Sequence, residues 1–376
     1  MLSQLQYFKT SNEAVSCIPH GRGHINETYL VQDASHNHYI LQKINTGIFC
    51  NPEALMHNVE AVINHLKQSS LTGRDTLTLV PTTTQKNWLV DEQSAYWRMY
   101  VSIKDSICIE QAPTPEVFKE SAYAFGLFQR RMANFDASVL TETIPYFHDT
   151  PKRYRALHEA IKADTYERVK TAQKEISFAL SREEYASTLI ALQQQGVLPL
   201  RTTHNDTKLN NVLFDKSSLK ALCVIDLDTV MPGLLVNDFG DSVRFGATTG
   251  AEDEVNLNKV NFSLKLYEAY TKGFLHACGE SITPGELNYL RDGAKMMTLE
   301  CGVRFLTDYL CGDTYFKAQR QQHNLHRCRT QFKLVTDMEQ NWERMLYSNL
   351  TNCSPIVFAQ TALNHRDLHS KSDNNF

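Results

Sequence analysis

The segment His204-Asn205-Asp206-Thr207-Lys208-Leu209-Asn210-Asn211 constrains this 376-residue chain more than any other. It is a run of polar, turn-favouring residues followed by two brief apolar runs, Val212-Leu213-Phe214 and Leu222-Cys223-Val224-Ile225. The second run ends on Asp226-Leu227-Asp228. Apolar runs this short, separated by a turn, read as paired strands. The flanking chain carries helical periodicity instead. The fold must therefore set a short mixed insert, about residues 200–248, into a helical body. Irregular polar segments on a rigid scaffold are where chemistry concentrates.

The rest of the chain has two textures. The first hundred residues are strand-rich. Segments 29–31 and 39–44 form a hairpin pattern, and 77–80, 88–90 and 98–103 are further extended runs. One helix interrupts them, opened by Pro52, with Leu55, Met56, Val59, Val62, Ile63 and Leu66 on one face. Beyond the connector near residue 100, helices dominate. Thr114-Pro115-Glu116 joins a capping residue to a proline at the first helical position. The periodicity predicts helices over about 114–133, 151–163, 181–195, 256–277, 283–310 and 316–348, and no long helix in the insert. We expect an α+β chain with a small β-rich lobe over 1–100 and a large, mostly helical lobe over 101–376.

The insert carries an Asp, an Asn five residues on, and another Asp 20 residues after the first. Phosphoryl transfer from a nucleotide needs such groups. One carboxylate orients an acceptor hydroxyl and takes its proton, while an amide oxygen and a second carboxylate hold Mg2+ on the phosphates. Asp206 suits the first role, and Asn211 and Asp226 suit the second. Lys208 is placed to stabilise charge on the migrating phosphoryl group. Asp228 is either a second metal contact or a hydrogen-bonding support for Asp226. The plainer alternative is an Asp/Asn-rich turn between strands. The nearby triplet Asp238-Phe239-Gly240 ends no apolar strand, so Asp238 is read as capping the next helix or holding the loop.

A second cluster lies upstream. Gly21 and Gly23 precede a strand, where backbone N–H groups can approach phosphates, and Asn26 stands at the third position of Gly-x-Gly-x-x-Gly. Lys43 ends the next strand but one, where the resemblance described below implies a phosphate-binding lysine. Its expected helix partner is Glu60 rather than Glu53, because an acid in a first helical turn already serves the dipole. Tyr100-Val101-Ser102 is the candidate hinge that reads adenine through its backbone. A turn glycine and an exposed strand lysine are the plainer alternatives here.

Together these phrases resemble the protein-kinase-like pattern H-x-D-x-K-x-x-N followed by a metal-binding Asp. Asn205 stands where protein kinases carry Arg, and no Ala-Pro-Glu segment follows. The chain is therefore identified as a member of the small-molecule branch, the aminoglycoside phosphotransferase and choline kinase family. Segments 21–29, 39–45, 52–58, 204–211 and 224–233 are similar to its N-acetylhexosamine 1-kinase branch, over about residues 15–315. The resemblance implies a protein-kinase-like bilobal fold, ATP and Mg2+, and a small sugar, GlcNAc or GalNAc, phosphorylated at its anomeric hydroxyl. It also implies acceptor contacts at His24, Phe245, Arg304 and Tyr315. His24 reaches the acceptor or the phosphates, or else stabilises its own loop. Phe245 stacks on a sugar face or packs in the core. Glu300 and Arg304, four apart on a helix, form an internal ion pair or a hydrogen-bonding edge. Alternatives are a kinase for another sugar, an aminoglycoside, choline or homoserine, and a non-catalytic nucleotide-binding module.

Composition narrows the partners. Basic residues number 38 against 42 acidic, a net charge of −4, so no excess exists to neutralise a nucleic-acid backbone. No apolar run approaches the roughly 18 residues of a membrane helix. Residues 1–6 lack the basic and apolar regions of a secretion signal, so a cytoplasmic protein is expected. The nine cysteines include no Cys-x-x-Cys pair, which predicts free thiols. The pairs His36/His38 and His20/His24 lack zinc-site spacing.

Overall fold

The computed structural model describes residues 3–21, 25–355 and 357. The chain forms two compact units. One comprises Met1–Cys108, Asn134–Pro145 and Asn211–Pro232, and the other Ile109–Ala133, Tyr146–Asn210 and Gly233–Phe376.

The first unit begins with strands β1 (Ala14–Pro19), β2 (Glu27–Asp33), β3 (His38–Lys43), β4 (Leu89–Val90), β5 (Tyr96–Val101) and β6 (Ser106–Cys108). After β7 (Arg201–Thr203), which belongs to the second unit, β8 (Val212–Asp215) and β9 (Ala221–Val224) return to the first. An antiparallel sheet has the order β1-β2-β3-β5-β4, and a smaller one the order β6-β8-β9. Alternation decides its faces. Val31, Tyr39, Leu41, Trp97 and Met99 are buried on one face, where Leu5, Phe8 and Val80 join them. Gln42 and Arg98, directly opposite one another in the β3–β5 register, are out of phase with that set. Arg98 meets Met56 of helix α1 (Pro52–Lys67) instead. Asn51 caps α1 by accepting from the Ala54 N–H, and all six apolar positions predicted for its inner face are buried. The predicted strand at 77–80 is reduced to an isolated bridge between Leu79 and Tyr100.

The second unit holds the remaining helices: α2 (Pro115–Arg131), α3 (Thr150–Ala163), α4 (Gln173–Leu180), α5 (Thr188–Gln194), α6 (Leu235–Gly246), α7 (Leu264–Cys278), α8 (Pro284–Leu310), α9 (His323–Gln340) and α10 (Trp342–Asn352). Thr114 caps α2 as predicted. A capping box of Thr283 and Glu286 starts α8. The single segment expected over 316–348 breaks at Asn341 into α9 and α10. The one expected over 256–277 starts only at Leu264, behind the cap Ser263.

Helix α6 corrects the expectation of an insert without a long helix. Its 12 residues include two glycines and no side chain that caps its start, so its local signals are weak. Burial supplies what propensity lacks, because residues 235 to 244 are all buried. The α6–α8 crossing explains one of these glycines, Gly240, while Gly246 makes room for the Phe118 ring of α2. A Cβ on Gly240 would collide with the Gly293 carbonyl, and one on Gly293 with the Val236 carbonyl. The two backbones touch there, which seats α6 deep in the unit.

All nine cysteines are free. Among the described residues no helix is long and apolar enough to cross a membrane.

The close crossing is testable. Gly240→Ala should cost about 1–3 kcal/mol by overpacking, read as a lower urea midpoint at unchanged slope. Stability equal to wild type would mean that the helices do not meet backbone to backbone.

Candidate active site

In the second unit, the chain leaves β7 through His204 and turns at Asn205, which takes a left-handed conformation (φ 63°). The buried His204 ring sits edge-on to Phe125 and Phe128 of α2, at centroid distances of 5.5 and 6.2 Å. The backbone of this loop is gripped from α6. Asp238 accepts from the His204 N–H and the Asn205 N–H, both at 2.8 Å, and from Gln129 Nε2 at 2.9 Å. Asp241 accepts from the Thr207 N–H at 3.1 Å and from Arg244 Nε at 2.9 Å. Burial pushes the Asp238 carboxyl up, against the opposing pull of His204 and its donated N–H groups. Of the two roles read for Asp238, the structure gives it the second, holding the loop.

Clamped this way, the loop leaves Asp206 24 % exposed, with Oδ1 at 2.7 Å from Lys208 Nζ. Burial would lower the Lys208 pKa, but Asp206 and Asp241 outweigh it and hold the ammonium above its ordinary range. Lys208 is thus a fixed cation beside the candidate base.

In the first unit, the β8–β9 hairpin pairs Val212 with Val224, and the Ile225 N–H donates to the Asn211 carbonyl at 2.9 Å. Asn211 therefore lies at the same end of the hairpin as Asp226, as the metal reading requires. Asp226 is exposed and left-handed (φ 59°, ψ 58°), while Leu227, Asp228 and Thr229 behind it are buried. Mg2+ takes one or two protein carboxylates or amides together with phosphate and water oxygens. The hard oxygens of Asn211 and Asp226 fit that ion.

Asp228 has a different environment. It is 4 % exposed, with Oδ1 at 2.5 Å from Nη2 of Arg98, itself 1 % exposed. Its Oδ2 accepts from Asn26 Nδ2 at 2.6 Å. Arg98 also donates through Nε and Nη2 to Gln42 Oε1. Burial opposes the charge on Arg98, and Asp228 more than restores it, so the guanidinium is held above its ordinary range. With both oxygens engaged, Asp228 takes the geometry of a support rather than of a metal contact.

The remaining nucleotide-side expectations fare unevenly. Gly21 has a left-handed φ of 77°, and Gly23 and His24 lie outside the described residues. Lys43 lies 3.4 Å from Glu27, its cross-strand neighbour, and both are well exposed. Among the described residues Glu60 makes no ion pair, so the expected Lys43–Glu60 link is not formed. Strand phase is the cause. Lys43 shares its face with Trp97, which it approaches to 5.9 Å, whereas the α1 side carries Gln42 and Arg98. In the hinge, the Val101 N–H donates to Thr78 and the Ser102 N–H to His38. Those two groups hold the strand in place instead of standing ready for adenine. Tyr100 is buried against Arg98, and burial pushes its phenol up.

The acceptor-side residues fall in two places within the second unit. Phe245 lines a cavity of about 320 Å³ with Leu209, Arg244, Glu252, Gln331 and Leu334. Arg304 and Tyr315 come together elsewhere, with the Arg304 guanidinium 5.7, 5.8 and 5.4 Å from the rings of Phe147, Tyr315 and Phe316. Glu300 does not take the ion pair with Arg304 that their spacing allows. It accepts from Thr150 Oγ1 at 2.6 Å and faces His148 Nδ1 at 3.1 Å. Burial raises the Glu300 pKa, but His148, Arg304 and Thr150 outweigh it and hold the carboxyl below its usual range. Among the described residues no acceptor is hydrogen-bonded to the Arg304 guanidinium, and Arg153 Nε nearby is buried without a partner. Sequence reading missed Phe147, His148 and Arg153, which precede or open α3 without a motif of their own.

The profile of the phosphotransferase enzyme family matches residues 16–272. The chain belongs to this family. Solved structures agree on the fold. A microcompartment-associated aminopropanol kinase is similar at a TM-score of 0.57 and 14 % identity, with 91 % of this chain and 96 % of that chain covered. Amicoumacin kinase, solved with AMP-PNP, Ca2+ and its ligand, reaches a TM-score of 0.61 at 13 % identity, covering 90 % and 94 %. Choline kinase from Cryptosporidium parvum Iowa II reaches 0.55 at 13 % identity, covering 88 % and 91 %. The phosphotransferase thus has a protein-kinase-like α+β fold, with the antiparallel sheet of its first unit and the helices of its second.

The Asp238 clamp gives a prediction. In Asp238→Asn one backbone N–H loses its acceptor and meets an amide N–H instead, at a cost of about 1–3 kcal/mol. Hydrogen exchange at His204 and Asn205 should speed up. Unchanged exchange there would show that the carboxylate does not hold the loop.

Proposed function

We propose that the protein is an ATP- and Mg2+-dependent kinase that phosphorylates the anomeric hydroxyl of an N-acetylhexosamine, giving the sugar 1-phosphate. The observation that carries the phosphoryl-transfer part is the β8–β9 hairpin, which sets Asn211 beside Asp226, five residues after the loop carboxylate Asp206. Asn211 and Asp226 hold the metal. When bound with ATP, Mg2+ neutralises charge on the phosphate oxygens.

Asp206 orients the acceptor hydroxyl and accepts its proton at a carboxylate oxygen. A hemiacetal hydroxyl is more acidic than an ordinary alcohol, so positioning matters more than base strength. Lys208, fixed against Asp206, places positive charge where the transferred group gains negative charge.

The Arg304 cluster supports this reading of the acceptor. A guanidinium among three aromatic rings offers hydrogen-bond donors beside apolar faces, which suits a neutral ring rich in hydroxyl and acetamido oxygens. Arg153 stands close enough to be disfavoured by the charge of Arg304. Arg304 and Arg153 repel an ammonium acceptor, while the buried acids beside them, Glu300 and Asp308, are engaged by their own donors, so choline and aminoglycosides suit this surface poorly.

The test is an ATP-consumption screen over GlcNAc, GalNAc, free hexoses, choline and aminoglycosides. Turnover should be greatest on an N-acetylhexosamine, with loss of the reducing end. Asp206→Asn should lower kcat by about 10²–10⁴-fold while MgATP binding survives. Arg304→Met should raise the acceptor KM roughly tenfold or more, the cost of charged hydrogen bonds. Preference for a cationic acceptor would overturn the sugar reading. Near wild-type turnover in Asp206→Asn would overturn the mechanism.

A further inference from the structure

We propose that Arg98 and Asp228 form a positioning pair that sets the metal-binding turn. The inference rests on the metal role proposed for Asp226 and adds the residues that hold it in place.

Asp226 is the only exposed residue of the segment 226–229, and its backbone is left-handed. A non-glycine residue keeps that conformation only when its surroundings determine it. The next residues supply the anchor. Leu227 and Thr229 are buried, and the Asp228 carboxylate is engaged by Arg98 and Asn26. Arg98 projects from β5 on the face that α1 covers, with Nη1 only 3.9 Å from Met56 Sδ. Its position across from Gln42 fixes it to β3 as well.

Asn26 extends the same network to the end of the glycine segment. Its Oδ1 accepts from the Asn45 N–H at 3.0 Å while its Nδ2 donates to Asp228. One buried charge pair therefore ties together β3, β5, the start of β2 and the turn that presents Asp226. Neither acid of α1 takes part. Glu53 is 3.5 Å from the Tyr96 hydroxyl, and Glu60 makes no ion pair among the described residues. The cation that matters to the metal is thus the one the sheet buries, and its partner lies two residues beyond the metal carboxylate.

The test compares Arg98→Lys, Asp228→Asn and the double variant Arg98→Met/Asp228→Leu with wild type. ATP binding is titrated calorimetrically with and without MgCl2, and folding is followed by urea denaturation. Removing both charges together spares the fold the cost of an unpaired buried ion, so the double variant separates packing from positioning. We expect the Mg2+ enhancement of ATP affinity to fall about 10–100-fold, as for other groups that orient a metal ligand. Metal-free affinity should stay close to wild type. Cooperatively folding variants that keep the wild-type Mg2+ enhancement would overturn the inference and leave the kinase reading standing. A wild-type protein whose ATP binding ignores Mg2+ would remove the kinase reading itself, and the positioning role with it.

Discussion

A buried carboxylate that accepts two consecutive backbone N–H groups fixes the loop that carries Asp206. Asp238 takes the N–H groups of His204 and Asn205 and so dictates the path of the chain into Asp206. Hydrogen bonds from backbone to an ionised acceptor are among the strongest available inside a protein. They require that α6 lie deep, and the glycine contact between α6 and α8 permits that depth. Packing at Gly240 and Gly293 thus reaches the chemistry through one helix.

The first unit repeats the device. There the buried Asp228 is engaged by Arg98 and Asn26, and the exposed carboxylate it serves is Asp226. In both units one acid is sealed and satisfied so that a neighbouring acid can be presented in a fixed orientation. Such pre-organisation is what phosphoryl transfer asks of a protein, since catalysis there rests on positioning and charge. The division also explains why several acids of the insert are unavailable for recognising a cationic acceptor. Asp238, Asp241 and Asp228 are occupied by backbone donors or by buried arginines.

Much of this was legible in the sequence, for physical reasons. The spacing of Asp206, Asn211 and Asp226 is a local property of a loop and a hairpin, and the hairpin formed where short apolar runs predicted it. Helix α1 announced itself through Pro52 and six periodic apolar residues, all of them buried. What failed depended on phase and on tertiary contact. Lys43 and Gln42 are adjacent in sequence, yet the pleat sends them to opposite faces, so the lysine meets Glu27 and the helix side receives Arg98. Nothing in the sequence marks Arg98, because its meaning comes from the β3–β5 register. The length of helix α6 was not legible because burial, not propensity, holds it. The Val101 and Ser102 N–H groups are spent on Thr78 and His38, partners distant in sequence.

In the proposed reaction a phosphoryl group moves from ATP to the oxygen at C1 of an N-acetylated sugar. Phosphorus NMR of the products from ATP, Mg2+ and GlcNAc or GalNAc tests this in one spectrum. The expected result is a new monoester resonance split by coupling to the anomeric proton, growing as ADP appears. A product coupled to any other sugar proton, or ADP accompanied only by inorganic phosphate, would contradict it.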